Sequence, residues 1–183
     1  MKNDSTGIEK HKGRLIEIVG LCKDYCELCE GAFEMTKQEF INRVLDLLPR
    51  IYWNFFDIEA QGVSLEEFDY FSSYVDEDLY ESIRGRIAQL MGGDDTYLDT
   101  FEEDMRYSET PISATISEGM ADIFQPLFNF VNIVKDSEGS QLEDAYIQCK
   151  DDFENYWSQT LCNLLKAFNN LKYGNNKTYD EYD

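Results

Sequence analysis

Two neighbouring stretches decide the reading: residues 110–136, TPISATISEGMADIFQPLFNFVNIVKD, and residues 140–173, SQLEDAYIQCKDDFENYWSQTLCNLLKAFNNLKY. In the first, Ile112, Ile116, Met120, Ile123, Leu127, Phe130, Val131 and Val134 recur at steps of three and four, the period of one helical face. In the second, Leu142, Ala145, Tyr146, Cys149, Phe153, Tyr156, Trp157, Leu161, Leu164, Leu165, Phe168 and Leu171 do the same. The polar break at 137–140 is short, and short breaks join antiparallel neighbours, so the pair reads as a helical hairpin. Thr110-Pro111, or else Thr115 with Glu118, opens its first helix, and Pro126 bends it. Ser140 with Glu143 reads as a capping box for the second helix, and Gly174 ends it.

The upstream chain supplies helices to pack on that hairpin. From about Glu9, Leu15, Ile18, Val19, Cys22, Tyr25, Cys26, Cys29, Ala32 and Phe33 define one face. Thr36 with Glu39 is a capping box, followed by Phe40, Ile41, Val44, Leu47 and Leu48, a break or kink at Pro49, and Ile51, Tyr52, Phe55 and Phe56. Gly62 breaks that pattern, and Ser64 with Glu67 opens a shorter, irregular stretch. Asp76 then caps a better helix, with Val75 and Tyr80 as its hydrophobic staple and Gly92-Gly93 as its stop. Residues 94–109 carry seven acids and one Arg, the composition of a solvated connection. They do not follow the calcium-loop pattern. No sustained alternation and no hairpin-turn dipeptide between apolar runs marks a strand. The expectation is an all-α, compact bundle of about six or seven helices centred on the C-terminal hairpin. Residues 9–174 form the domain, between a flexible 1–8 and a disordered acidic tail at 175–183.

The chain has 183 residues, 43% of them hydrophobic, enough for one domain with a sizeable core. Its 16 Lys+Arg against 37 Asp+Glu leave a formal net charge of −21. Such a surface repels phosphate backbones and anionic lipid heads, so neither nucleic acid nor a membrane is an expected partner. A protein with a basic surface is the expected kind, and an acidic mimic of nucleic acid is an alternative role. No run approaches the roughly 20 apolar residues of a membrane span, and the N-terminus lacks the apolar core of a secretory signal. Five cysteines are an odd number without the framework of a stapled domain, which points to reduced thiols in the cytoplasm.

Cys22, Cys26 and Cys29 have the C-x3-C-x2-C spacing that elsewhere holds an iron–sulfur cluster. Here they fall on the apolar face of a helix, where cysteine packs as a small hydrophobe. Di-iron bundles need Glu-x-x-His pairs, and the single histidine, His11, excludes them together with Ser-His-Asp and Cys-His schemes. Phosphate-loop and dinucleotide glycine patterns are missing too. No metal and no catalytic residue is assigned, and any cofactor is unknown. Glu118 and Asp122 lie one turn apart beside the apolar stripe. Folding the hairpin about residue 138 sets Glu118 near Ser158 and Asp122 near Glu154, with Tyr156, Gln159 and Thr160 as neighbours of Glu118. Carboxylates facing hydroxyls and an amide can bind a cation or a small polar ligand. Otherwise they form a solvated helix edge, or an acid pinned by Lys150 or Lys166.

The segment ISEGMADIFQPL at 116–127, with FENYWSQTLCNLLKAF at 153–168, resembles a bacterial domain-of-unknown-function family, number 5063. Its members carry an S-L-x-(D/E)-x-L-A-D-I-Y run and, downstream, an F-x-x-(H/Y)-W-G-x-H-x-x-x-A-L-x-A-L-H run. LLPRIY at 47–52 and AQLMG at 88–92 also fall where the family has related segments, and the likeness spans about residues 35–170. It implies a compact helical fold and brings no activity. Glu118 and Asp122 match the family's acidic positions, while Tyr156 and Thr160 stand where many members have histidine and Ser158 replaces a glycine. If those histidines serve a metal in relatives, this chain lacks the ligands. The sequence therefore reads as a non-catalytic binding or protein-interaction module. The alternative is an enzyme or cation site on Glu118 and Asp122.

Overall fold

The computed structural model describes residues 2–58, 70–99 and 112–174. Within them lie α1 (Lys2–Glu30), α2 (Lys37–Asp57), α3 (Glu77–Met91), α4 (Ile116–Asp136), α5 (Leu142–Asp152) and α6 (Ser158–Tyr173). A π-helical turn, Phe153–Trp157, joins α5 to α6, so the last two are one rod and the described residues build five rods in all. The all-α expectation stands. α1 starts at Lys2, where the periodicity places a start near Glu9. Gly62, the Ser64 and Glu67 capping box, Thr110-Pro111, residues 100–109 of the acidic connection and the tail at 175–183 lie outside the described residues.

One short sheet was not expected. β1 (Thr96–Asp99) pairs antiparallel with β2 (Ile112–Thr115), in register from Thr96 opposite Thr115 to Asp99 opposite Ile112. Strands of four residues offer too few positions for alternation to show. Ile112, assigned above to the hairpin's helical stripe, is therefore in a strand. The alternative start holds: Thr115 is extended at φ −115°, ψ 143°, and its side chain accepts from the Glu118 amide at 3.3 Å. Asp95 secures the same helix start from outside. Its carbonyl accepts from Ile116 N at 2.7 Å, and its carboxylate accepts from Ser117 N at 2.8 Å and Ser117 Oγ at 2.7 Å. Three of the four orphan amides of α4 are thus satisfied by named partners.

The other caps follow the sequence with one exception. Thr36 accepts from Glu39 N at 3.2 Å, and Asp76 accepts from Leu79 N at 2.8 Å. Gly92 stops α3 at φ 57°, a conformation glycine takes without penalty. Ser140, however, caps nothing; Gln141 sits at the head of α5 without a side-chain cap. The reason is the way α4 ends. Gly139 N donates to Val134 O at 2.8 Å and Glu138 N to Lys135 O at 3.1 Å, the paired bonds of a Schellman turn. That turn takes Ser140 N to the Ser137 carbonyl at 3.0 Å and leaves Ser137 Oγ to receive Gln141 N at 3.3 Å.

The hairpin packs where its stripes point. α4 packs tightly on α6 at Gly119, where an added Cβ would sit 3.2 Å from both Thr160 Cγ2 and Leu164 Cδ2. α1 covers the hairpin with Leu15, Ile18, Cys22, Tyr25 and Cys29, all fully buried, and Tyr25 donates to Met120 O at 2.9 Å. α2 contributes Phe40, Val44, Leu48, Ile51 and Phe55, and α3 contributes Ile83, Ile87 and Met91. Tyr146 donates to the Ile58 carbonyl at 2.7 Å, closing the core beyond the end of α2. Three aromatic residues placed inside by the periodicity lie outside: Phe33, Phe56 and Tyr156 are each more than half exposed.

Candidate functional site

A cleft of about 330 Å³ opens between α4 and the π turn. Asp122, Tyr156 and Thr160, three of the residues singled out by hairpin geometry, line it together. Glu118 and Gln159 are not among its lining residues; Glu118 is exposed in the first turn of α4, and Gln159 is exposed on α6. Gln125, Pro126, Asn129, Asp152 and Trp157 complete the lining and were not anticipated. A signal for Asp152 was present. Reflection about residue 138 sends Asp122 to 154, two positions from Asp152.

Two backbone irregularities face each other here. Pro126 removes a donor from α4. Opposite it, Ser158 N reaches back to Phe153 O, a five-residue span that puts one extra residue into the turn. Cys149 Sγ lies 3.8 Å from the Pro126 carbonyl and marks where the two rods touch. The wide turn also explains Tyr156. In an α-helix of about 100° per residue, Tyr156 sits about 60° from Phe153 and shares its face. A turn holding an extra residue rotates it further round, and its ring is 73% exposed.

The electrostatics are one-sided, because among the described residues no Lys or Arg lines the cleft. Tyr80 of α3 donates to Asp122 Oδ1 at 2.7 Å, which fixes that carboxylate. Burial, and then the hydrogen bond to Asp122, push the Tyr80 phenol well above its ordinary range. Burial, and secondarily Asp151, raise the Asp152 carboxyl. Asn129 is held by its side-chain oxygen, which accepts from Tyr74 N at 2.8 Å. Trp157 is 3% exposed, and its indole N–H is buried with no hydrogen-bond partner among the described residues. Lys150 does not pin Asp122. Its ammonium binds the Phe55 carbonyl, reaches Glu154 at 3.1 Å and lies over the Phe153 ring.

The remaining chemical candidates lie elsewhere. Cys22, Cys26, Cys29 and Cys149 are buried together, and burial raises each thiol above its ordinary value. They stay protonated and pack as apolar groups. Among the described residues no group of three or more His, Cys, Asp or Glu is placed to hold a metal ion. His11 joins α1 to α5 through Glu143, 3.0 Å from Nε2.

These features define a helical bundle built on a C-terminal hairpin with an acid-lined cleft at its edge. The chain belongs to the family described as Domain of unknown function (DUF5063), whose model matches residues 9–174, and the resemblance read from the hairpin motifs is borne out. The crystal structure of protein BF1032 from Bacteroides fragilis is similar, with a TM-score of 0.73 and 24% identity over 87% of this chain and 92% of that one. Likeness at that identity carries the fold. No curated protein matches the chain.

Proposed function

We propose that this chain is a non-catalytic binding module and that the α4–π-turn cleft receives a small organic cation. The observation that carries the reading is the composition of the cleft wall. Asp122 and Asp152 supply negative charge, Thr160 supplies an acceptor, and the exposed Tyr156 supplies a ring face, with no cationic side chain among them. An ammonium group beside two carboxylates and an aromatic face gains from both Coulomb attraction and cation–π contact. Calcium takes about six to eight oxygen ligands, and among the described residues no group of three or more His, Cys, Asp or Glu is placed to hold a metal ion. Non-catalytic is part of the reading because the chain's one histidine, His11, is hydrogen-bonded to Glu143 and is not among the residues lining the cleft. The same reading places the chain in the cytoplasm, since Cys22, Cys26, Cys29, Cys149 and Cys162 are all free thiols. Among the described residues no helix is long and apolar enough to cross a membrane.

Calorimetric titration with putrescine, choline and arginine methyl ester tests the proposal. At least one should bind to the wild type and bind about tenfold or more weakly to Asp122→Asn with Asp152→Asn. Absence of heat with all three, or equal binding to the double variant, overturns the reading. Calcium or magnesium binding that the same substitutions abolish would replace the organic cation with a metal.

A further inference from the structure

A second recess shares no residue with the cleft. Between α1 and α2 runs a groove of about 580 Å³ whose apolar floor is Gly20, Leu21, Pro49 and Trp53. Trp53 is 59% exposed, and its ring lies 5.9 Å from that of Phe56, itself stacked on Tyr52 at 6.4 Å. The groove therefore runs into an exposed aromatic cluster, the residue types that dominate binding energy at protein interfaces. Ile16, also exposed, stands one turn before Gly20 on α1.

We infer that this groove docks an amphipathic helix of a basic protein partner. Shape supports a helix, because the channel between two packed helices accepts the ridge of a third, with anchors at i, i+3, i+4 and i+7. At Gly20 an added Cβ would meet nothing within 4 Å, so the channel is open at its middle. Charge selects the partner. Glu17 and Asp24 flank Gly20 on α1, two turns or about 10.5 Å apart, and neither has an ion-pair partner among the described residues. Arg50, the one cation among the described residues lining the groove, is already paired with Asp46 at 3.2 Å. The docked helix therefore carries basic residues two turns apart beside its apolar stripe.

The other occupants are disfavoured by the same charges. A second copy of the chain would bring its own formal charge of −21 to an acidic rim. The chain's own candidates are acidic as well. Residues 59–69 contain Glu59, Glu66, Glu67 and Asp69 with no Lys or Arg, and residues 175–183 contain three acids against Lys177.

The test is a selection from a displayed library of 18-residue amphipathic helices on the full chain, followed by fluorescence anisotropy of the enriched peptides. Enriched sequences should share an apolar stripe with Lys or Arg two turns apart. Gly20→Leu fills the channel and adds helix propensity, so it should keep or raise the melting temperature while weakening binding about tenfold or more. Trp53→Ala, at an exposed position, and Glu17→Lys with Asp24→Lys should weaken it comparably. No enrichment over a matched acidic library overturns the proposal. Equal binding to wild type and all variants overturns it too, since the peptides would then be held by general negative charge. A wild-type dimer that Gly20→Leu dissociates assigns the groove to a second copy. A tenfold gain on replacing residues 59–69 by a Gly-Ser linker assigns it to the chain's own segment.

Discussion

The inner and outer faces of the Phe153–Trp157 turn carry the same kind of residue to opposite fates. Phe153 and Trp157 are almost fully buried, their ring centroids 5.5 and 4.9 Å from that of Phe55 on α2. Tyr156, one residue before Trp157, stands in solvent on the wall of the cleft. Aromatic character does not separate them; the register of one widened turn does. On the inner face the rings interlock and exclude water, which makes that face a stability element. On the outer face Glu154, Asn155 and Tyr156 are all exposed, and the cleft beside them holds two carboxylates. A π turn inside a packed rod thus lets one helix hold a core on one side and open a polar recess on the other.

The comparison breaks first, if it is wrong, at Phe55. Its ring also lies 5.7 Å from Tyr146 and is fully buried, so Phe55→Ala removes the hub of the inner cluster. Unfolding in urea should show a loss of about 3–5 kcal/mol, against less than about 0.5 kcal/mol for Tyr156→Ala on the outer face. Equal effects would mean that the two faces are not energetically distinct. A second, smaller effect sharpens the role of the hairpin itself. Gly119→Leu drives a branched side chain into Thr160 and Leu164, already 3.2 Å from an added Cβ. Overpacking of that kind should cost about 1–3 kcal/mol and shift the two rods apart. Because Thr160 lines the cleft, ligand affinity should fall with stability. Stability loss with unchanged affinity would show that the cleft does not depend on the close approach of α4 and α6.

What the sequence made readable follows from periodicity and caps. The stripes of α2, α3 and α4, the caps at Thr36, Asp76 and Thr115 and the stop at Gly92 are local signals, and each appears where local chemistry places it. The meeting of α4's acidic edge with Tyr156 and Thr160 was only partly readable: folding about residue 138 assigns those neighbours to Glu118, whereas in the cleft they stand with Asp122, one turn further along. The rest needed information no local pattern carries. Ser140 has capping chemistry but is taken up by the Schellman turn that ends α4, its own amide donating to the Ser137 carbonyl. The β1–β2 pair depends on partners distant in sequence, Asp99 opposite Ile112 and Thr96 opposite Thr115, meeting across the acidic connection. The π turn shifts Tyr156 out of a stripe whose spacing looks regular and turns it to the wall of the cleft.

Asp152 provides the finest test, because it separates a carboxylate kept for stability from one kept for a ligand. Burial, and then Asp151, raise its folded pKa above the unfolded value of about 3.9. The folded chain therefore holds this proton more tightly than the unfolded chain does. Its contribution to stability is fully present below the unfolded pKa and is lost as pH rises through the folded one. At neutral pH the charged carboxylate works against folding, so Asp152→Asn should raise the melting temperature at pH 7. That gain should shrink as pH falls through the carboxylate range and vanish once wild-type Asp152 is protonated. A variant less stable than wild type at pH 7 would make Asp152 a structural anion and remove it from the binding argument. The predicted pairing, a more stable chain that binds cations less well, is the signature of a charge retained at an energetic disadvantage for what it contacts.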